Sequence, residues 1–273
     1  MNLDDALPLL ARDPSADVDV AEVALCLARE EYPGVDVEAY LGELAAMAHD
    51  VRPRLRGGLP ARVRALCRYL FHEVGFRGNT QAYYDPRNSY FNEVLDRRTG
   101  IPLTLTLVAM AVGRRAGLAV QGVGLPGHFV AKAVEGGREV LFDPFHEGRL
   151  LSAGDCERLV EQVTGASFRA TPEALAAAPP QAIVVRLLTN LKAIYLRTED
   201  FGRSVRVIGR LRQLLPDDVL QRRDLGAALL HAGRPGAAVA HLEAYLGASP
   251  GAEDAEAVQQ LLRKARAEVA RWN

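Results

Sequence analysis

The sequence predicts an α+β domain with a helical N-terminal part, followed by an all-α domain of helical repeats. Three observations carry this. An apolar run, Pro102–Ala116, leads into three short strand-like runs. Before it, residues 1–74 space their apolar side chains at helical intervals. Near the C-terminus, Leu191 and Leu225, Ala193 and Ala227, Gly202 and Gly236, and Pro216 and Pro250 are each separated by 34 residues.

At 273 residues and 49% hydrophobic, the chain suffices for one large or two ordinary domains with real cores. Lys+Arg 33 against Asp+Glu 34 gives a net charge of −1, which argues against a nucleic-acid or anionic-membrane footprint. No apolar run reaches the length of a membrane span. The acidic N-terminus, MNLDDALPLLARD, lacks the basic and apolar regions of a signal peptide. Three cysteines without paired spacing suit a reducing compartment. The expectation is a soluble cytoplasmic protein.

Taken in order, residues 18–32 carry Val20, Val23, Ala24 and Leu27 on one stripe, stopped by Tyr32-Pro33-Gly34. Residues 37–55 carry Tyr40, Leu41, Leu44, Met47 and Ala48; residues 60–74 carry Val63, Leu66, Leu70 and Val74. Residues 75–87 read as irregular, with Tyr83-Tyr84 before Asp85-Pro86. A loop of that length between buried elements is more often functional than decorative, though it also serves to cap a core. Residues 88–97 predict a short helix with Asn88 as N-cap.

The run Pro102–Ala116 has no polar face, so it predicts a helix buried on all sides. Pro102 suits the first helical position. Arg114 and Arg115 favour the last turn, and Gly117 supplies a left-handed cap. Strands follow at 119–125, 128–134 and 138–143, the last two joined by a two-residue turn at Gly136-Gly137. If Glu135 faces Arg138, then Val130 faces Asp143. His128 and Asp143 then share a sheet face as diagonal neighbours, roughly 7–8 Å apart at the backbone.

Residues 152–163 predict one more helix, and the Ala- and Pro-rich stretch 171–180 a linker. The first domain is therefore residues 1–178, in which residues 1–74 are helical and residues 75–150 form the core; the second is residues 179–273. Helices are expected at 182–197, 201–214, 219–232, 235–246 and 254–271. The 34-residue period is that of the tetratricopeptide helix–turn–helix. So short an array is expected to pack against the first domain, and its periodicity is needed for stacking whether or not a peptide binds.

A helix start, then His on one strand and Asp on the next, is the order of parts in the transglutaminase-like branch of papain-like folds. The wording NEVLDRRTGIPLTLTLVAMAVGRRAGL, GLPGHFV and LFDPF resembles the bacterial SirB-type transglutaminase-like and tetratricopeptide-repeat proteins; a related module occurs in a eukaryotic F-box protein. The resemblance implies a transglutaminase-like (papain-like) α+β domain followed by a tetratricopeptide-like one. It also implies a nucleophilic Cys in a Gly-x-Cys triplet opening the helix. Here that triplet is Gly100-Ile101-Pro102, so Pro102 stands where the thiol belongs.

The candidate site is therefore a remnant pair, His128 and Asp143, with Asn88, Tyr90, Asn92, Glu93 and Thr104 as cleft-lining residues whose plainer roles are capping and packing. Thr104 and Thr106 are the hydroxyls near the helix start, and both are better read as bonding within the buried helix than as nucleophiles. Arg97 and Arg98 read as a solvated charge pair. Cys26 and Cys67 read as small core residues. Cys156, near a helix start, is the candidate for a lowered pKa, though nothing in the sequence places it by His128. His128, Asp143 and His146 have metal-ligand chemistry, and the turn at Pro144 permits their convergence, but nothing else in the sequence supports it, so no metal and no cofactor is expected. The function expected is a degenerate, non-catalytic module, a pseudoenzyme that binds an unidentified protein or peptide, and neither nucleic acid nor membrane. The alternative is an amide hydrolase or acyl transferase using the His–Asp pair without a Cys.

Overall fold

The computed structural model describes residues 2–271 and is mixed α+β, mostly helical. The chain divides into two compact units. The first holds the chain through Ala6 and then Ser15–Val184; the second holds Leu7–Pro14 and the chain from Val185 onward. Helix α1 (Leu3–Arg12) and helix α8 (Pro180–Arg197) each contribute to both units.

In the first unit, α2 (Val20–Glu31) and α3 (Val37–Val51) begin at acidic caps. The Asp19 carboxylate accepts the Ala21 N–H at 3.0 Å, and Asp36 accepts the Ala39 N–H at 3.1 Å, satisfying donors that open helix ends leave orphaned. A 3₁₀ turn at Arg52–Arg54, containing Pro53, ends α3 short of the residue 55 expected. The helix expected over 60–74 is α4 (Leu59–Cys67) continued by a π-helical turn, Arg68–Glu73.

The stretch expected to be irregular contains β1 (Arg77–Gly78), which pairs in parallel with β2 (Thr99–Gly100). Between them lie a 3₁₀ turn, Pro86–Asn88, and α5 (Phe91–Arg97). The expected N-cap role of Asn88 is corrected here: α5 starts three residues later, behind Tyr90. The Asn88 side chain is wholly buried and holds the loop instead. Its Nδ2 donates to the Ala82 and Tyr83 carbonyls at 2.7 and 3.2 Å, and its Oδ1 accepts from Asn79 Nδ2 at 3.0 Å. Buried loop carbonyls need partners as much as a helix N-terminus does, and here they take the amide.

Helix α6 (Pro102–Ala116) is the core element, with Pro102 at its start and Gly117 at φ 84° as its left-handed cap. Only Arg114 on it is exposed, and Met110 and Arg115 are half-buried. It packs on one face of an antiparallel meander in chain order: β3 (Val120–Leu125), β4 (His128–Glu135), β5 (Arg138–Asp143) and β6 (Arg149–Leu151). Val120 lies against Gly113 of α6, and Gly122 against Met110. On the other face Val123, Leu125 and Val130 pack with Cys156 and Val160 of α7 (Ala153–Thr164), a helix opened by reciprocal Ser152–Asp155 capping. Glu135 sits opposite Arg138, as the Gly136-Gly137 turn predicts. Strand β6 was not among the expected elements; it is three residues long and pairs Asp143 with Arg149.

The stretch 171–180, expected as a linker, is strapped to the sheet. The ammonium of buried Lys132 donates to the Leu175 carbonyl at 3.1 Å, and the Ala178 N–H donates to the Gly122 carbonyl of β3 at 2.8 Å.

The second unit continues from α8 through α9 (Phe201–Leu214), α10 (Val219–His231), α11 (Pro235–Ala248) and α12 (Ala255–Arg271). From α9 onward, each helix packs on the next. Ile208, Leu225, Leu229, Leu242, Tyr245 and Leu262 form their core. The 34-residue partners Leu191 and Leu225 are both buried, as one position repeated in successive helix pairs requires. Helix α8 starts at Pro180 rather than Ala182, because proline is well suited to a first helical position.

Candidate functional site

The β4–β5 hairpin places His128 at the start of one strand and Asp143 at the end of its neighbour, on the face that α7 covers. Their side chains meet: His128 Nε2 lies 2.9 Å from Asp143 Oδ2, at 4% and 1% exposure. Pro144 stops the ladder, and a 3₁₀ turn, Pro144–His146, brings the chain back. His146 Nδ1 thereby lies 2.7 Å from the same Asp143 oxygen. The other carboxylate oxygen, Oδ1, accepts the Phe145 N–H at 2.9 Å, so both oxygens are held.

Aromatic rings fix the orientation. Phe145 is edge-on to His128, to His146 and to Tyr83, with ring centroids 6.0, 5.3 and 6.2 Å apart. His146 stacks on His128 at 5.9 Å. Phe145 in turn packs onto Gly78, where a Cβ would stand 2.6 Å from its ring. Gly78 pairs with Gly100, two residues before α6. The turn after Asp143 thus packs on both β1 and α6.

Burial pushes the Asp143 carboxyl up, but the hydrogen bonds and charges of His128 and His146 outweigh it and hold the group well below the usual carboxylate range. The bond to Asp143, opposed by partial burial, raises His146 above an ordinary histidine. Asp143 and His146 line a small cavity of about 170 Å³ with Arg149, Leu151, Asp155 and Arg158.

The helix end is different in kind. Pro102 is buried and has no ionisable atom. Thr104 is also buried; its hydroxyl donates to the Asn88 carbonyl at 2.8 Å and accepts the Ile101 N–H at 3.1 Å. Thr104 and Asn88 are therefore brought together, with their polar atoms engaged in tying the loop to the helix. The Thr106 hydroxyl has no hydrogen-bond partner among the described residues, so the bond expected within the helix is absent there. Tyr90 packs edge-on to Tyr32 at 5.3 Å. Asn92 is buried with its amide oxygen unpartnered among the described residues, and Glu93 is half-buried. Arg98 pairs with Glu43.

None of the three cysteines offers a thiolate. All are buried, and burial pushes Cys67 up to about 12 and Cys156 up to about 11, raising Cys26 as well. The lowered pKa considered for Cys156 is corrected: its thiol sits among Val123, Val130 and Val160, and the nearby Asp155 and Asp143 charges raise it further.

His146 is the residue that sequence reasoning undervalued. The signal was its position three residues after Asp143 across a proline, a spacing that a single turn closes. The ligand atoms of His128, Asp143 and His146 lie within 4.8 Å of one another, so the convergence that the sequence left unsupported is present. No helix among the described residues is long and apolar enough to cross a membrane.

Residues 38–189, more than half the chain, match the family described as the transglutaminase-like superfamily, and residues 191–263 match the tetratricopeptide repeat. A UPF0162 protein of Xylella fastidiosa (strain Temecula1) is 33% identical over 261 residues, covering 94% of this chain and 89% of that protein. A UPF0162 protein of Vibrio cholerae is 28% identical over 212 residues, covering 77% and 78%. The F-box only protein 21 of Mus musculus is 33% identical over 108 residues, covering 36% of this chain and 17% of that protein. No solved structure matches the chain.

Proposed function

The chain belongs to the transglutaminase-like superfamily, among its SirB-type bacterial members with a tetratricopeptide-repeat domain, and from that premise we propose that it is a non-catalytic, protein-binding module. The observation that carries this reading is Pro102 at the helix start. A papain-like reaction needs a thiolate to attack the acyl carbon. A His–Asp pair orients and moves a proton but supplies no electron pair for that attack. The raised, buried cysteines support the same reading, since none stands in for the missing thiol. Tetratricopeptide repeats generally mediate protein–protein contacts, which makes a protein or peptide the partner class.

The second reading is an amide hydrolase with water as nucleophile and His128 as base. The intact 2.9 Å His128–Asp143 contact favours it, but water attack also needs oxyanion donors aimed at the bound acyl group. The two readings separate on the purified full chain. Incubated with a glutaminyl peptide plus an amine, and with an isopeptide, the wild type and His128→Ala are both expected to give no product above buffer. His128-dependent turnover of either substrate sinks the binding-module reading. In parallel, a lysate pull-down should recover the same partner with both forms if the helical repeats carry the contact.

A further inference from the structure

We propose that His128, Asp143 and His146 form a binding site for a divalent transition metal of the zinc class. The site goes beyond the interaction reading and does not depend on it.

Two imidazole nitrogens, His128 Nε2 and His146 Nδ1, converge on one carboxylate oxygen, at 2.9 and 2.7 Å, and all three ligand atoms lie within 4.8 Å of one another. Around a metal with bonds of about 2.0–2.2 Å, neighbouring tetrahedral ligand atoms stand roughly 3.3 Å apart. The present spacing is therefore close to a coordination shell, and the adjustment needed is a small rotation of side chains. His146 is the one able to make it, because its side chain is 53% exposed. Each ring must present an unprotonated nitrogen to the metal, so the ion has to displace the proton now shared with Asp143 and binding weakens in acid.

The surroundings fit as well. Asp143 Oδ1 is held by the Phe145 N–H, the kind of outer hydrogen bond that fixes a ligating carboxylate for single-oxygen coordination. Phe145 walls both imidazoles edge-on. The nearby cation Arg149 bonds Asp155 at 3.3 Å, and a second guanidinium, Arg158, bonds the same oxygen at 2.7 Å. The 170 Å³ cavity beside Asp143 and His146 gives an entry path and room for water at the remaining coordination positions. Two imidazoles and one carboxylate select zinc, cobalt or nickel over magnesium and calcium, which take oxygen shells.

The test uses the full chain, stripped with chelator and titrated with Zn²⁺ against a chromophoric chelator, then with Co²⁺ for its visible absorption. One equivalent should bind, and His146→Gln should weaken it at least about tenfold, as expected for loss of a ligand. His128→Gln should do the same, while His49→Gln, on α3, should match the wild type. A thermal melt of each variant confirms folding, and exposed His146 makes its variant the decisive one. Wild-type titration curves for His146→Gln and His128→Gln overturn the proposal, as does Mg²⁺ binding in preference to Zn²⁺. Neither result touches partner capture, so failure here is distinguishable from failure of the binding-module reading.

Discussion

At the hairpin end of the candidate cleft, a carboxylate with 1% exposure holds two imidazoles and a backbone N–H; at the helix end, Pro102 is apolar and Thr104 spends its hydroxyl on the neighbouring backbone. The difference matters because a buried charge is expensive. Replacing such a cluster with well-packed apolar side chains is often neutral or stabilising, whereas removing one member alone is costly. The helix end follows that gradient towards lower cost, and the hairpin end stands against it. A fold under no demand but stability has no reason to treat the two ends so differently, which is why we place the remaining chemistry at the hairpin.

The sharpest way to break the contrast is to put the missing atom back. Pro102→Cys should turn a chain with only buried, raised thiols into one with a single iodoacetamide-reactive site. Labelling should fall in acid and change in a His128→Ala background, as read by intact mass. A Cys that stays inert there would show that Gly100-Ile101-Pro102 does not occupy the nucleophile turn. Next in size, Asp143→Ala should cost about 3–5 kcal/mol, because it strands two imidazoles and the Phe145 N–H. Urea denaturation measures this, and a loss below about 1 kcal/mol would mean that the hairpin end is as replaceable as the helix end.

Gly78→Ala tests the link between the ends. Its Cβ would stand 2.6 Å from the Phe145 ring, so overpacking should cost about 1–3 kcal/mol and shift the Phe145 and His146 ring resonances together. A shift at Phe145 alone would uncouple the turn from the strand pair. Smallest are the two helix hydroxyls, which should respond oppositely. Thr104→Val removes two bonds and should lose about 1–2 kcal/mol, whereas Thr106→Val removes an unpartnered buried hydroxyl and should be neutral or slightly stabilising. Equal responses would show that both hydroxyls find partners in solution.

The hairpin end was legible because period-two alternation and a Gly136-Gly137 turn fix register arithmetically, and the register puts His128 beside Asp143. The buried helix was legible for a similar reason: Pro102 and Gly117 mark its ends with backbone requirements of their own. What escaped reading was set by tertiary partners. Asn88 has the chemistry of an N-cap, and only the fold shows that buried loop carbonyls claim it first. Strands β1, β2 and β6 are too short for any periodicity to reveal. The return of His146 to Asp143 depends on one turn after a proline, which sequence permits without dictating. The 34-residue echo survived because every repeat must bury the same positions.

The strap at residues 175–178 has a consequence for the chain's behaviour among copies of itself. Strand β3 is one of the two outer strands of its sheet, and an uncovered outer strand exposes a row of backbone groups on which another chain can assemble. The Ala178 N–H takes the Gly122 carbonyl from that row, and Lys132 anchors the strap across the sheet by holding Leu175. A nick in this Ala-rich segment would therefore leave the covalent core intact yet release a strand edge able to recruit its own kind.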